Sequence, residues 1–356
     1  MSYRPRLEAH TLSGQLTVHH FGPDPRSIGG MASVIGVHVE HRVGADEVFA
    51  HPTWRPGSSL ATAMLAASST AALLRLPSGV VAHVHLSEGG SFVREGLLLS
   101  IARRRGLVTA ATIHGANFKQ FAVAHPRLVS SVLGWADIVT CLDAETLGLV
   151  EASAPGAHAV MLFNPVAVES DYTTADRTEE LVLFAGEVSL RKGADVLVRA
   201  WPEVLGRRPR ARCVLVGPAG DFTAPSVERL EVLPARAPAE VARLMRTARV
   251  IALPARAEAM PMTLLEAMSL ARPFVSTPVG EIPALAEAGG ALVPVGDETA
   301  LAERLAELLA DGEAARVLGE GGRRFCLANC SVERIDARLR ELYAEALAAR
   351  ACGRRP

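Results

Sequence analysis

The chain has 356 residues, with 37 Lys and Arg against 38 Asp and Glu and a formal net charge of −1. That length exceeds one ordinary α/β core and suits two, and the balanced charge excludes the field expected of a nucleic-acid binder. Hydrophobic residues make up 49% and aromatics 4%, which fits a helix-rich α/β protein built on Ala, Leu and Val.

In chain order, Met1-Ser-Tyr-Arg-Pro-Arg6 leads into no apolar signal region. Short β-rich runs then alternate with longer helical ones, the pattern of parallel sheets covered by helices. Strands are predicted at 16–19, 47–50, 80–85, 107–113 and 138–141, and a helix at 59–76. After the first strand comes Pro25-Arg-Ser-Ile-Gly-Gly30, ahead of the apolar run 31–39. Gly29 and Gly30 would let backbone approach a phosphate and leave helix amides free for it; a plain tight turn is the alternative. His83 and His85 share a strand and are expected on opposite faces. His114 ends the next strand, beside Gly115, and its place at a strand's carboxyl end makes it a site candidate. Arg103-Arg-Arg105 closes a run containing Leu97-Leu-Leu99. Weak peripheral contact with an anionic membrane is one reading; a helix with leucines on the sheet and arginines in water is the favoured one.

The polar stretch 171–180 lacks periodicity and reads as a linker. Beyond it the alternation restarts, with strands at 181–185, 213–216, 250–253 and 274–276 and helices at 194–205, 238–248, 263–269, 300–309 and 332–350. Two doubly wound, Rossmann-like α/β domains result, 1–170 and 171–330. A last helix within 331–356 is expected to pack back toward the first domain, and the tail Cys352–Pro356 to fray. In such sheets ligands bind outside the strands' carboxyl ends, so the two domains should face a cleft.

Two segments of the second half carry the chemistry. In Phe184-Ala-Gly-Glu-Val-Ser-Leu-Arg-Lys-Gly193 a strand ends in Gly186, and Arg191 and Lys192 follow just before a helix. They suit a diphosphate, Arg as a fork and Lys as a point charge; a solvated basic turn is the alternative. In Glu258-Ala-Met-Pro-Met-Thr-Leu-Leu-Glu266, Pro261 breaks any continuous helix. Glu258 is therefore expected on a loop at a strand's end and Glu266 about one turn into the next helix, both near free amides. Acids, cations and amides together imply a phosphorylated, hydroxyl-rich ligand. No Asp-x-Asp occurs to seat a divalent metal on a nucleotide diphosphate. Leaving-group charge is then expected to fall to Arg, Lys and helix amides. The five cysteines are scattered, Cys326 and Cys330 being the one close pair, which favours a reduced cytosolic protein.

The order of these motifs resembles the retaining glycosyltransferases of family 4, which have the two-domain GT-B fold. Phe184-Ala-Gly186, Arg191-Lys192-Gly193, Val214-Leu-Val-Gly217, Glu258 to Glu266-Ala-Met268, Val279-Gly-Glu-Ile-Pro283 and Val293-Pro-Val-Gly-Asp297 carry the resemblance, with Gly29-Gly30, His114-Gly115 and Asn164-Pro165-Val166 in the first half. It implies transfer of a sugar from a UDP- or GDP-linked donor to an acceptor hydroxyl on a glycan, a lipid-linked molecule or a small natural product. No metal or cofactor is implied, no nucleic-acid partner, and a cytoplasmic site of action, at most peripheral to the inner membrane face. Glu266 then matches the ribose anchor, Glu258 the acid near the donor sugar, Lys192 and Arg191 the diphosphate cations, and His114 a histidine near the transferred sugar. Gly29 and Gly30 match the closing loop. Gly186 and Gly217 line the nucleotide, and the amides of Met262, Thr263 and Leu264 cap the diphosphate from the helix start. Glu187 departs from the family, which often has arginine there, and Glu281 is a second-rank candidate for the sugar pocket. An epimerase of the same fold and a catalytically silent nucleotide-sugar-binding subunit are the competing readings.

Overall fold

The computed structural model describes residues 15–353, so the readings of Met1–Arg6 and of Arg354–Pro356 fall outside it. The first half runs β1 (Thr17–Pro23), α1 (Gly30–Glu40), β2 (Glu47–Trp54), α2 (Ser59–Arg75), β3 (Val81–Leu86), α3 (Gly90–Arg104), β4 (Val108–Ile113), α4 (Phe118–Ala124), α5 (Pro126–Leu133), β5 (Ile138–Cys141), α6 (Ala144–Ser153) and β6 (His158–Met161). Its six strands form one parallel sheet in the order β2-β1-β3-β4-β5-β6. Every residue of β3, β4 and β5 is buried, as expected of strands covered on both faces. β2 holds Pro52, which cannot donate to a ladder; the strand lies at the sheet's edge, where that is tolerated.

The second half runs β7 (Leu181–Ala185), α7 (Ala194–Arg207), β8 (Arg212–Val216), β9 (Leu230–Leu233), α8 (Pro238–Thr247), β10 (Val250–Leu253), α9 (Met262–Ser269), β11 (Phe274–Ser276), α10 (Ile282–Gly289), β12 (Gly290–Leu292), α11 (Glu298–Ala310), α12 (Gly312–Asn329) and α13 (Val332–Ala351). Its parallel sheet has the order β12-β11-β10-β7-β8-β9. The last helix belongs to the other half. Ile335, Leu339, Leu342, Tyr343 and Ala346 of α13 pack with Val18, Val81, Val108 and Ile138 of the first sheet. Arg340 bonds Asp46, and Asp336 accepts the Gly44 N–H at 2.7 Å. The chain crosses between the halves twice, side by side, where Val166 bridges Ser331.

Two sequence expectations are corrected here. His83 and His85 share a face of β3, with rings 4.9 Å apart and 4° from parallel, because residues two apart on a pleated strand point the same way. The arginine run at the end of α3 is bound within the molecule. Arg103 pairs with the buried Asp137, and Arg105 donates to the carbonyls of Leu73 and Leu76 at the end of α2. Two of the three cations thus hold the fold together, rather than standing free in water. All five cysteines are free. Among the described residues no helix is long and apolar enough to cross a membrane.

Candidate active site

Each candidate side chain sits just past the carboxyl end of a strand or on the helix that follows. Gly186 follows β7, Gly217 follows β8, Glu258 follows β10 and His114 follows β4. The loop after β7 carries Glu187, Arg191 and Lys192, and Gly193 closes it as the N-cap of α7. Gly193 has φ +76°, and a Cβ there would lie 1.9 Å from the Pro254 carbonyl oxygen. Only glycine lets the β7 loop come this close to the β10 loop. That approach joins the two charged segments: Lys192 Nζ lies 2.7 Å from Glu258 Oε1, and Arg191 Nη1 donates to the same oxygen at 3.0 Å. Arg191 also donates to the Ala257 carbonyl at 3.1 Å and lies 3.9 Å from Glu187 Oε2.

The Glu258 and Lys192 side chains are 11% and 15% exposed, so their pairing is shielded from solvent; Arg191, at 41%, and Glu187, at 45%, border it. The same loop is pressed from behind by Gly280, whose φ of +54° and lack of Cβ let it lie against the carbonyls of Glu258 and Ala259. The Glu281 N–H then donates to the Ala259 carbonyl at 2.8 Å.

Pro261 is the N-cap of α9, and Glu266 falls in the second turn. Its carboxyl makes no hydrogen bond or ion pair among the described residues. Burial raises its pKa, and the nearby Lys192 charge opposes that rise. Thr263 Oγ1 donates to the Ala185 carbonyl at 3.0 Å, which seats the start of α9 against the end of β7. The amide expectation is corrected in part. Leu264 N–H is taken by the Pro261 carbonyl at 3.1 Å, leaving Met262 and Thr263 as the unpaired amides of the first turn. Gly186 and Gly217 have a packing reason of their own: a Cβ on Gly217 would lie 1.8 Å from the Gly186 carbonyl oxygen, and the Lys192 stem covers Gly186.

The first half supplies the facing wall. Gly29 caps α1 in an exposed loop where a Cβ on Gly29 or Gly30 would meet nothing within 4 Å. Further along α1, Val34 packs into the second half's core, as does Leu142 after β5. Asn164 N–H contacts Met260 Sδ at 3.5 Å. Glu281 faces across as well. Burial raises its pKa, the Asp143 charge adds to this, and Lys119 opposes it. Lys119 is itself 3.5 Å from Asp143 and pairs with Glu145. His114 accepts or donates one hydrogen bond, Nε2 to His85 Nδ1 at 2.9 Å. Its Nδ1 has no partner among the described residues, and burial pushes its pKa down to about 3.

Glu258, Lys192 and Arg191 thus form one cluster, with Glu266 within range of the Lys192 charge. Sequence reading missed that Glu187 and Glu258 flank Arg191, and that His85 stands behind His114. The spacing Glu187–Arg191 was a signal for the first; the second needed the strand order. Among the described residues no three His, Cys, Asp or Glu side chains are grouped to hold a metal ion.

Residues 179–311 match the protein family described as Glycosyl transferases group 1. The D-inositol 3-phosphate glycosyltransferase of Segniliparus rotundus is 32% identical over 161 residues, 41% of this chain and 36% of the relative. That of Corynebacterium efficiens is 31% identical over 246 residues, 61% of this chain and 56% of the relative. The chain spans about half the length of the curated relatives it matches. A sucrose-phosphate synthase from Thermosynechococcus elongatus superposes with a TM-score of 0.76 at 18% identity, over 94% of this chain and 100% of that one. Anabaena HepE in complex with UDP-glucose does so with 0.71 at 15% identity, over 93% and 100%. These likenesses show the fold, which is GT-B: two Rossmann-like domains face each other across the cleft.

Proposed function

We propose, from the match of residues 179–311 to the glycosyl transferases group 1 family, that this chain transfers a sugar from a nucleotide diphosphate sugar to an acceptor hydroxyl with retention of anomeric configuration. The observation that carries the reading is the Lys192–Glu258–Arg191 cluster beside the free first turn of α9. Two cations and two unpaired amides converge where a diphosphate would leave. Such preorganised donors lower the barrier most when aimed at charge that develops during reaction. Glu266 anchors ribose hydroxyls through its free carboxyl. Glu258 orients hydroxyls of the donor sugar and hands its cations to the diphosphate as the donor arrives. The donor is UDP- or GDP-linked, and the acceptor is a hydroxyl-bearing glycan, lipid-linked molecule or small natural product.

In the reacting complex the bond from the anomeric carbon to the diphosphate oxygen breaks, and a bond from the same face to the acceptor oxygen forms. The acceptor's proton passes to the leaving phosphate oxygen, whose added charge Lys192, Arg191 and the amides of Met262 and Thr263 share. Glu258 is held by two cations, a place for charge matching and hydroxyl contact rather than for covalent attack.

Assay of transfer from UDP- and GDP-sugars to a broad acceptor panel tests this. Lys192→Ala should lower kcat/KM by about 10²–10³-fold, the usual loss for a donor to a developing oxyanion, with Glu258→Ala and Glu266→Ala also impaired. Wild-type rates in all three would refute the assignment. Binding without turnover across the panel would instead favour the silent subunit, a reading that Glu187 beside Arg191 keeps open.

A further inference from the structure

Three histidines from three neighbouring strands form a single file that ends at the cleft. His20 is on β1, His85 on β3 and His114 follows β4; these strands are adjacent in the sheet. His20 Nδ1 lies 2.8 Å from His85 Nε2, and His85 Nδ1 lies 2.9 Å from His114 Nε2. Ring centroids are 5.1 Å apart at both steps. The rings are joined edge to edge and do not converge on a shared point, unlike the ligands of a metal.

A neutral imidazole has one N–H and one bare nitrogen. Both nitrogens of His85 are engaged by histidines, so it donates in one direction and accepts from the other. The whole file must then point one way, either toward the cleft or away from it. The two ends decide which. At the inner end His20 Nε2 is buried with no hydrogen-bond partner. At the outer end His114 is half-buried, just past the carboxyl end of β4. A file pointing inward would leave an N–H orphaned at His20, and buried unpaired N–H groups are rarer than under-used acceptors. A file pointing outward leaves only a lone pair there. His20 then donates to His85, His85 donates to His114, and His114 carries its proton on Nδ1.

We propose that His85 and His20 are positioning residues that lock His114 as a neutral Nδ1–H donor facing the cleft. Under the function proposed above, on which the choice of ligand rests, the acceptor of that hydrogen bond is a hydroxyl oxygen of the bound sugar. His114 therefore holds the sugar and takes no proton from it. A proton driven inward along the file would leave one on the sealed His20 Nε2 with no route onward, so the file is no relay.

The surroundings agree. The file makes no hydrogen bond to a carboxylate that would favour an imidazolium. The titratable groups acting on it are His83 from β3, His38 from α1, His19 from β1 and His51 from β2, with Tyr343 from α13 beyond His83. His83 is engaged in a separate network: its Nδ1 lies 2.6 Å from Tyr343 Oη and its Nε2 2.7 Å from Thr112 Oγ1, which lies 2.6 Å from Thr140 Oγ1. No proton on the file is shared with it. Burial pulls the pKa of His20 and His85 well below the ordinary value, and neighbouring histidines add to this.

The test is long-range ¹H–¹⁵N correlation NMR on the ¹⁵N-histidine-labelled full chain, with His114 assigned by its loss in His114→Gln. The expected result is the Nδ1–H tautomer, unchanged between about pH 5 and 8, where an ordinary histidine titrates. In His85→Leu, with its fold checked by circular dichroism, His114 should populate both tautomers. An Nε2–H tautomer in the wild-type chain, or titration of His114 in that range, would overturn the lock whether or not any sugar is transferred. Transfer assays then address the ligand. His114→Leu should lose about tenfold more activity than His114→Gln, which retains an N–H donor, the worth of one hydrogen bond. Equal losses in the two variants would overturn the donor role.

Discussion

Arg191 lies between two carboxylates, 3.0 Å from Glu258 and 3.9 Å from Glu187. One of them is needed for the donor sugar in the function proposed here; the other only competes with the diphosphate. Both side chains of the outer pair are largely solvated, so their interaction is screened and small. Glu187→Ala should therefore tighten nucleotide-sugar binding by about twofold to fivefold, the range of an exposed ion pair, as read by isothermal titration calorimetry. Weaker binding would mean that Glu187 holds Arg191 in place for the donor. That Arg191, Lys192 and Glu258 lie at strand ends was legible in sequence because strand ends, glycines and charges recur in a set order. Their partners were less so. That Glu258 takes both Lys192 and Arg191 depends on the approach of the β7 and β10 loops, which no local pattern encodes. The histidine file needed the order β1-β3-β4, and a strand's alternation had to be applied correctly to see His83 and His85 on one face.

At the level of elements, the site rests on glycines where two loops touch. Gly280 has φ +54°, and a Cβ there would meet the Glu258 carbonyl oxygen at 2.2 Å. Gly280→Ala should cost about 1–3 kcal/mol from backbone strain and displace the Glu258 loop, weakening donor binding as well. Gly148→Ala is the matched control. Gly148 lies inside α6 with nothing within 4 Å of a Cβ, so alanine should leave stability unchanged or raise it by up to about 1 kcal/mol. Urea midpoints of the two variants check both; equal effects would contradict the packing argument. Most fully buried strands and the longest helix were legible, as in β7, β10 and α13, but the 18-residue α12 was not. β9 was not, because it is a short edge strand with no fully buried residue, and neither was the seven-residue α4. The start of α9 was placed within one residue, since Pro261 fixes it, but sequence could not show that Pro261 also takes the Leu264 amide.

At the scale of the whole molecule, α13 returns to the first sheet and closes a core rich in neutral histidines. Burial lowers the pKa of His19 and His38 to about 4 and of His114 to about 3, and depresses those of His20, His51, His83 and His85. Each is below its unfolded value of about 6.5, so below that pH the unfolded chain binds more protons than the folded one. Stability from these groups is complete above about pH 6.5 and is lost as pH falls toward the folded values. One such group accounts for at most about 1.4 kcal/mol per pH unit. Several acting together should make unfolding free energy fall at more than twice that slope below pH 6, measured by urea denaturation; a slope below the single-group limit would contradict the buried, neutral cluster. The two domains meet through Val34, Leu142 and Asn164 and leave the charged loops facing the cleft between them. The central claim, that this cleft takes a nucleotide diphosphate sugar through Lys192 and Glu266, is tested most directly by titrating UDP- and GDP-sugars into the wild-type chain, Lys192→Ala and Glu266→Ala and recording the shift in melting temperature. A dose-dependent rise is expected in the wild-type chain, as bound ligand favours the folded state by mass action, and little or none in either variant. No rise with any nucleotide sugar, or equal rises in all three proteins, would contradict it.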